Sequence, residues 1–165
     1  MNKKTKNCAK QELQKKEYDA VVLSPGPGKP ERFDLAGTIE ICLKRNIPIL
    51  GVCLGLQGIV EYFGGELAVL DRPRHGRKLK LFFEEGGLNK GLNSNVEIGL
   101  YHSIHAKTVP DELICLAKDE ENVVMAVKHK ELPIIAVQFH PESIMSNKDR
   151  SGLIILNNMF SDILQ

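Results

Sequence analysis

Cys53 stands between two glycines in the segment GVCLG, at residues 51–55, where an apolar run passes into a helical pattern. This layout is that of a nucleophile elbow, in which a sharp strand-to-helix turn exposes a reactive side chain. The unpaired N–H groups and positive dipole at the start of a helix favour a thiolate. The same N–H groups, that of Leu54 first, can receive the negative oxygen of a tetrahedral intermediate. A free cysteine is also a common small core residue, so this motif alone leaves Cys53 open as nucleophile or packing.

A thiol that attacks an acyl carbon needs a base to take its proton and later deliver one to the leaving amine. The chain contains five histidines: His75, His102, His105, His129 and His140. His140 ends an apolar run, as Cys53 does, and Pro141 biases it to an extended conformation. Glu142 follows at the two-residue period of a strand, so its carboxylate can orient the imidazole. Alone, this pair also fits a strand-end histidine beside a surface carboxylate. Together with the Cys53 motif it predicts a Cys–His–acid triad.

A third motif follows the first apolar run. Residues 24–28 (SPGPG) hold two prolines, which withhold backbone donors, and two glycines, which permit unusual dihedral angles, so a tight loop is predicted. Like Cys53 and His140, this loop follows a candidate strand, and open parallel sheets place their sites at the carboxyl ends of strands. Its glycine N–H groups can add a second oxyanion donor or approach a substrate closely. A Pro-Gly turn without a ligand is also common.

The elements that would hold these motifs are short runs rich in Val and Ile, alternating with a few helical stretches. This pattern predicts a parallel sheet covered by helices. The predicted strands are residues 19–24, 47–52, 78–83, 96–101, 113–117, 123–128 and 134–139. The predicted helices are residues 34–43, with Asp34 as N-cap, 54–63, ended by Gly64 and Gly65, and 150–164, with Leu153, Leu156, Phe160 and Leu164 inward. The short strands between residues 66 and 130 indicate a mixed or antiparallel extension.

The composition is that of one ordinary domain. A chain of 165 residues with 42% hydrophobic and 26% charged residues can bury a core without disulfides or structural metal. Its net charge of +1 gives no sign of nucleic-acid binding, and no apolar run is long enough to span a bilayer. Four scattered cysteines form no C-x-x-C pair and follow no signal peptide: Cys8, Cys42, Cys53 and Cys115. We therefore expect a cytoplasmic protein without a metal site and without a membrane or nucleic-acid partner.

Five segments, in order and at suitable spacings, resemble the class I (triad) glutamine amidotransferases. They are SPGPGKP (24–30), PILGVCLGLQGIVEYFGGEL (48–67), RHGRKLKL (74–81), YHSIHA (101–106) and VQFHPESIM (137–145). Within that family they are most similar to the amidotransferase part of anthranilate synthase and of its relative, aminodeoxychorismate (para-aminobenzoate) synthase. The resemblance covers nearly everything after residue 18. It implies a three-layer, flavodoxin-like, open and mostly parallel sheet with a small antiparallel extension.

The resemblance also implies roles for ten residues. Cys53 would attack the side-chain amide of L-glutamine to give a γ-glutamyl thioester and ammonia, with His140 as proton carrier and Glu142 as its orienting acid. The implied substrate contacts are Gly26, Pro27, Gly28 and Leu54 around the amide oxygen, and Gln57, Ser103 and Ile104 at the amino-acid end. The ammonia would pass to a chorismate-binding synthase, separate or fused. We expect no cofactor in this chain, because any Mg²⁺ would belong to that synthase.

Three features depart from the family pattern. Family members begin with an interior strand and a helix ahead of the present first strand, and residues 1–18 are too short and too polar to supply them. Leu56 stands where many separate anthranilate synthase subunits have histidine, and resembles the variant of fused synthases. Arg77 replaces a lysine, which keeps the charge but not the hydrogen-bond geometry. We divide the chain into a polar arm or replacement segment, 1–18, and an N-terminally truncated amidotransferase domain, 19–165.

The leading hypothesis is a glutaminase component that supplies ammonia for anthranilate formation. Three alternatives stay open. The same chemistry can serve aminodeoxychorismate or phenazine-type synthesis, because the glutaminase part meets only glutamine. A truncated subunit can keep the fold without turning over glutamine, although an intact Cys–His–Glu set argues against it. A free-standing cysteine hydrolase of γ-glutamyl compounds can use the same three residues.

Overall fold

In the computed structural model of the chain, seven strands of the described residues form one open sheet. The structure describes residues 10–84, 87–93, 96–147 and 149–164, with side chains at all of these positions except 71–75 and 77. Cys8 and the side chains of His75 and Arg77 lie outside that description. The strands are β1 (Val21–Leu23), β2 (Ile49–Val52), β3 (Leu67–Phe83), β4 (Glu97–Ala106), β5 (Leu113–Asp119), β6 (Val124–His129) and β7 (Ile134–Val137). Their order across the sheet is β1-β2-β7-β6-β5-β3-β4.

The sheet has a parallel half and an antiparallel half. β1 pairs in parallel with β2, and β2 in parallel with β7. The other pairings among the described strands are antiparallel. β2 (ILGV) and β7 (IIAV) are buried at every residue, as expected of parallel strands that are covered on both faces. The predicted open α/β sheet with an antiparallel extension is confirmed, and the extension is larger than the sequence indicated.

Helices cover both faces of the sheet. They are α1 (Leu35–Lys44), α2 (Leu54–Tyr62) and α3 (Ser151–Ile163), with short 3₁₀ turns at Pro30–Phe33 and Ile144–Ser146. Successive strand residues point to opposite faces: Ile49 packs with residues of α1 and α2, whereas Leu50 packs with residues of α3. The fold therefore has three layers. Among the described residues, every helix is too short or too polar to cross a membrane.

β3 is longer than the sequence predicted. The expected strand covered residues 78–83, but β3 begins at Leu67, where it pairs with Ala106 of β4. The register of this pairing shifts between Val69 and Arg74, and again between His75 and Arg77. Each shift breaks the alternation of inward and outward residues, which is the signal that a sequence pattern offers for a strand.

The predicted inner face of the last helix is wrong at two positions, because Leu153 and Leu164 are each 50% exposed. Leu156 and Phe160 are partly buried and pack against the core. The buried residues of α3 are Ser151, Gly152, Ile155, Met159 and Ile163. Apolar residues occupy two neighbouring faces of α3, one with the predicted leucines and one with Ile155, Met159 and Ile163. Close packing at Gly152 turns the second face towards the core. A Cβ atom at Gly152 would lie 2.0 Å from the carbonyl oxygen of Pro141.

The start of the described chain packs on α1. Residues 10–15 are helical, and Leu13 is buried against Ile39 and Cys42. Asp34 precedes α1, as predicted, but it has a left-handed backbone (φ 55°) and makes no side-chain cap hydrogen bond. Its carboxylate pairs instead with Lys10. Among the described residues, β1 is an edge strand, with Val22 50% exposed.

Candidate active site

Cys53 occupies the turn that the sequence predicts, directly after β2 and directly before α2. Its backbone angles are φ 53° and ψ −98°, outside the regions that side-chain-bearing residues normally adopt. Such strain persists only where the surrounding structure enforces it, and it is typical of functional turns. The geometry is therefore that of a nucleophile elbow.

The two flanking glycines allow α2 to approach the sheet closely. A Cβ atom at Gly55 would lie 2.3 Å from the carbonyl oxygen of Leu23, which belongs to β1. A Cβ atom at Gly51 would lie 2.8 Å from both the Ala136 Cβ and the Ile59 Cδ1. No side chain fits at either position without moving the helix, so these glycines hold the turn against the sheet.

The turn at Cys53 and the segment of His140 meet because β2 and β7 are parallel neighbours. The carboxyl ends of parallel strands lie at the same edge of a sheet. The backbone N–H of Cys53 donates a hydrogen bond of 2.8 Å to the carbonyl oxygen of Val137, the last residue of β7. Gln138, Phe139 and His140 follow from that point.

His140 and Glu142 form the pair that the two-residue spacing predicts. The imidazole Nδ1 lies 2.8 Å from the Glu142 Oε1. A carboxylate only accepts hydrogen bonds, so Nδ1 carries a proton, and the neutral form of this ring has its lone pair on Nε2. The His140 side chain is 17% exposed and that of Glu142 is 53% exposed. The ring of Tyr101 meets the His140 ring edge-on, with centroids 5.2 Å apart.

A cavity of about 360 Å³ opens beside Cys53. Its wall is formed by Gly26, Pro27, Gly28, Cys53, Gln57, Tyr101, His102, Ser103 and Ile104. The structure thus brings together on one wall the nucleophile candidate and six of the seven predicted substrate contacts. Leu54 lies beneath this wall, where its side chain would be 3.0 Å from a Cβ atom at Gly26. His140 is not part of this wall, and its ring contacts Tyr101, which is.

Burial controls the ionisation of Cys53, which is 8% exposed. Loss of water raises the pKa of its thiol from 9.0 to about 11, and the negative charge of Glu142 adds to the rise. The backbone N–H of Leu54 and the side-chain amide of Gln138 oppose it, because both donate to the sulfur and lower its pKa. The resting sulfur is therefore a thiol, and an attack by it needs a base.

Three further groups at the site were not among the predicted functional residues. Tyr101 and His102 line the cavity, and Gln138 donates to the sulfur of Cys53 over 3.6 Å. The segments YHSIHA and VQFHPESIM contain all three, so the family resemblance marked their neighbourhood. No pattern along the chain indicates which side chains of these segments turn towards Cys53, because the segments are distant in sequence.

A larger cavity, of about 570 Å³, lies between α1 and α2. Its lining includes Glu31, Asp34, Glu61 and Tyr62, but neither a thiol nor an imidazole. Size favours this cavity over the one at Cys53, whereas the chemistry of the side chains favours the one at Cys53. Among the described residues, no group of three or more His, Cys, Asp or Glu side chains is placed to hold a metal ion.

An open α/β sheet with a cysteine at a strained strand-to-helix turn is the arrangement found in α/β enzymes that use a nucleophile elbow. Comparison with known protein families shows which family of enzymes the chain is similar to. The family model described as "Glutamine amidotransferase class-I" matches residues 2–160. The chain belongs to the class-I glutamine amidotransferases.

Three named relatives show which class-I glutamine amidotransferases this chain is similar to. An anthranilate synthase of Azospirillum brasilense is 47% identical over 153 residues, which is 92% of this chain and 21% of the relative. An anthranilate synthase component 2 of Thermococcus kodakarensis is 40% identical over 150 residues, 89% of this chain and 78% of the relative. An aminodeoxychorismate synthase of Streptomyces griseus is 43% identical over 77% of this chain and 18% of the relative. The chain thus spans about a fifth of the two long relatives and about four fifths of the short one.

A solved structure supports the fold. A protein of Thermoplasma acidophilum, described as one of the subunits of GMP synthase, superimposes with a TM-score of 0.79 and is 28% identical. The match covers 96% of this chain and 78% of that protein.

Proposed function

We propose that this chain hydrolyses L-glutamine to glutamate and ammonia, and that the ammonia passes to a chorismate-binding synthase that forms anthranilate. The observation that carries the glutaminase proposal is the cavity at Cys53, which joins a strained nucleophile turn to the residues expected to hold glutamine. The names of the relatives from Azospirillum and Thermococcus support the anthranilate assignment.

In the proposed first half-reaction, the sulfur of Cys53 bonds to the side-chain carbonyl carbon of glutamine as the Nε2 of His140 takes the thiol proton. The N–H of Leu54 and those of the loop at Gly26 to Gly28 stabilise the negative oxygen. His140 then gives its proton to the leaving nitrogen, the C–N bond breaks, and ammonia leaves a γ-glutamyl thioester. Glu142 stabilises the imidazolium through the 2.8 Å contact at Nδ1.

In the second half-reaction, His140 takes a proton from water as the water oxygen attacks the thioester carbon. The C–S bond breaks, the sulfur regains its proton and glutamate leaves. The balance is glutamine plus water giving glutamate plus ammonia. The nucleophile and the proton carrier are side chains of this chain, so we propose that the reaction needs no cofactor here. Free thiols at Cys42, Cys53 and Cys115 support a reducing, cytoplasmic setting.

The partner is proposed to cover the surface beside the cavity. Ile144, two residues beyond Glu142, is 93% exposed, and Tyr101 at the cavity wall is 36% exposed. The 3₁₀ turn Ile144–Ser146 packs on β4: the backbone N–H of Gly99 donates a hydrogen bond of 3.1 Å to the Ser146 hydroxyl, and a Cβ atom at Gly99 would lie 2.7 Å from the Met145 Cβ. Neighbouring exposed apolar side chains are typical of protein interfaces.

The test is release of glutamate from glutamine by the wild-type chain, first by itself and then in the presence of an anthranilate-type synthase. We expect Cys53→Ala to abolish release and Cys115→Ala, which removes a thiol that does not line the cavity, to retain it. A glutamine-like diazoketone should alkylate Cys53 over time, and glutamine should block the labelling. A folded protein that resists labelling would instead be an inactive amidotransferase-like subunit.

The second candidate is the same glutaminase serving aminodeoxychorismate synthesis, which the relative from Streptomyces griseus favours. Cys53 and its cavity meet only glutamine, so the two candidates differ in the synthase that accepts the ammonia. Glutaminase activity measured with each type of synthase separates them: only the cognate synthase should stimulate activity and yield its aminated product. Activity that ignores both synthases would favour a free-standing hydrolase of γ-glutamyl compounds.

A further inference from the structure

Gln138 is a buried amide beside Cys53 that the proposed catalytic steps do not use. It follows β7 directly, and its side chain is 0% exposed. Its Nε2 donates to the sulfur of Cys53 over 3.6 Å, and its Oε1 accepts from the Nε2 of Gln57 over 3.4 Å. Gln57 lines the cavity, so Gln138 connects the cavity wall with the nucleophile.

The direction of this chain of hydrogen bonds is fixed at its far end. The Nε2 of Gln57 lies 3.0 Å from the carbonyl oxygen of Ile104, which can only accept. The nitrogen of Gln57 must therefore face Ile104, and its second N–H faces Gln138. Gln138 then presents its oxygen to Gln57 and its nitrogen to the sulfur of Cys53. An amide in this position is a donor at every working pH, because it does not titrate.

We propose that Gln138 is a positioning residue that holds the sulfur of Cys53 in place, favours its thiolate by donating a hydrogen bond, and couples it to Gln57 at the cavity wall. The proposal rests on the proposed function only in naming Cys53 as the nucleophile. A donor aimed at a sulfur stabilises the charged form more than the neutral one. A fully buried amide also costs desolvation that an apolar side chain would avoid, so packing alone does not account for glutamine at this position.

The first test replaces the donor. We expect Gln138→Met, an apolar side chain of similar length, to raise the pKa of Cys53 by about one pH unit, and therefore to slow its alkylation by iodoacetamide by up to about tenfold at pH values well below that pKa. The pKa is read from thiolate ultraviolet absorbance, as the difference from the same variant carrying Cys53→Ala. Ile135→Val, which removes one methyl group from the neighbouring buried strand, is the matched control and should leave the pKa unchanged.

The second test examines the coupling to Gln57. Gln57→Met should raise the pKa of Cys53 by less than Gln138→Met, because it loosens the donor without removing it. The double variant should match Gln138→Met alone, since both changes act through one hydrogen bond. If Gln138→Met does not fold, Gln138→Glu keeps the shape and places an ionised oxygen beside the sulfur at alkaline pH, and it should raise the pKa further.

The outcomes separate this inference from the proposed function. An unchanged pKa of Cys53 in a folded Gln138→Met or Gln138→Glu protein would overturn the inference, as would an equal rise in the Ile135→Val control. Strict additivity of Gln57→Met and Gln138→Met would overturn the coupling. None of these measurements uses glutamine. A protein that shows the expected pKa changes but releases no ammonia from glutamine would refute the proposed function and leave the inference intact.

Discussion

The ionisation of Cys53 predicts a specific loss of stability at alkaline pH. Burial raises the pKa of this thiol from 9.0 to about 11 in the folded chain. An acid whose pKa is higher in the folded state stabilises the fold while the pH lies below its unfolded pKa. That contribution disappears as the pH rises through the folded pKa. The wild-type chain should therefore lose stability between about pH 9 and about pH 11 because of this one group.

The size of the effect follows from the same two values. A difference of about two pH units corresponds to about 3 kcal/mol of unfolding free energy, at about 1.4 kcal/mol for each unit. Cys53 is 8% exposed, so solvent screening reduces this figure little. It is a large part of the stability of a domain, which is typically about 5–15 kcal/mol.

The assay is denaturant unfolding of wild type and of Cys53→Ala at a series of pH values from about 8 to about 11. Lysines and tyrosines also titrate in this range. Both proteins contain them, so their effect on stability cancels in the difference between wild type and Cys53→Ala. The stability advantage of wild type over Cys53→Ala should shrink by about 2 kcal/mol across the series, which ends at the folded pKa, and the remainder is lost above it. Cys115→Ala serves as control: burial raises the pKa of that thiol too, but Lys118 opposes the rise, so the change should be smaller.

Two results would refute the reasoning. A constant difference between wild type and Cys53→Ala would mean that the fold does not perturb the thiol. A wild-type advantage that grows with pH would mean that the fold stabilises the thiolate, as a neighbouring imidazolium would. In that case Cys53 would rest as half of an ion pair with His140, and the general-base step proposed above would be wrong.

Three further predictions concern the site and its surroundings. Glu142→Gln should lower kcat for glutamine about a hundredfold with little change in KM, because the imidazolium of His140 loses its carboxylate partner. Thermal stability should stay near that of wild type. A large change in KM would contradict the orienting role of Glu142. Gly55→Ala should destabilise the chain by about 1–3 kcal/mol in denaturant unfolding, because its Cβ meets the Leu23 carbonyl; an unchanged midpoint would show that α2 can move away freely. Ile144→Asp should weaken binding of the synthase and leave glutamine hydrolysis by the isolated chain intact; unaltered binding would place the interface elsewhere.

Much of the site was predictable because its parts are local in sequence. The turn at Cys53 is specified by Gly51 and Gly55, and the pairing of His140 with Glu142 was predicted from the two-residue period of an extended chain. The structure contains both features, but His140 and Glu142 pair across a turn rather than along a strand, because the backbone N–H of Ser143 donates to the carbonyl oxygen of His140. The parallel strands β2 and β7 were equally clear, because strands buried on both faces are continuous apolar runs.

The elements that were mispredicted depend on partners distant in the chain. The first part of β3 gave no alternating pattern because two register shifts interrupt its pairing with β4. The inner face of α3 could not be chosen from the sequence, because two neighbouring faces of the helix carry apolar residues. The contact of Gly152 with the Pro141 carbonyl selects between them, and it exposes Leu153.

By itself the sequence determined the parts of the candidate site: a thiol at a turn between two glycines, an imidazole with a nearby carboxylate, and a glycine loop, each following a strand. Short-range sterics and hydrogen bonding set these features, so they are written in neighbouring residues. Only the tertiary structure decided the cavity wall and the donors that face the sulfur. Tyr101 lies on β4 and Gln138 beyond β7, and they meet Cys53 because strands far apart in sequence pack at one edge of a sheet. Such contacts depend on where whole elements pack, which no short stretch of residues specifies.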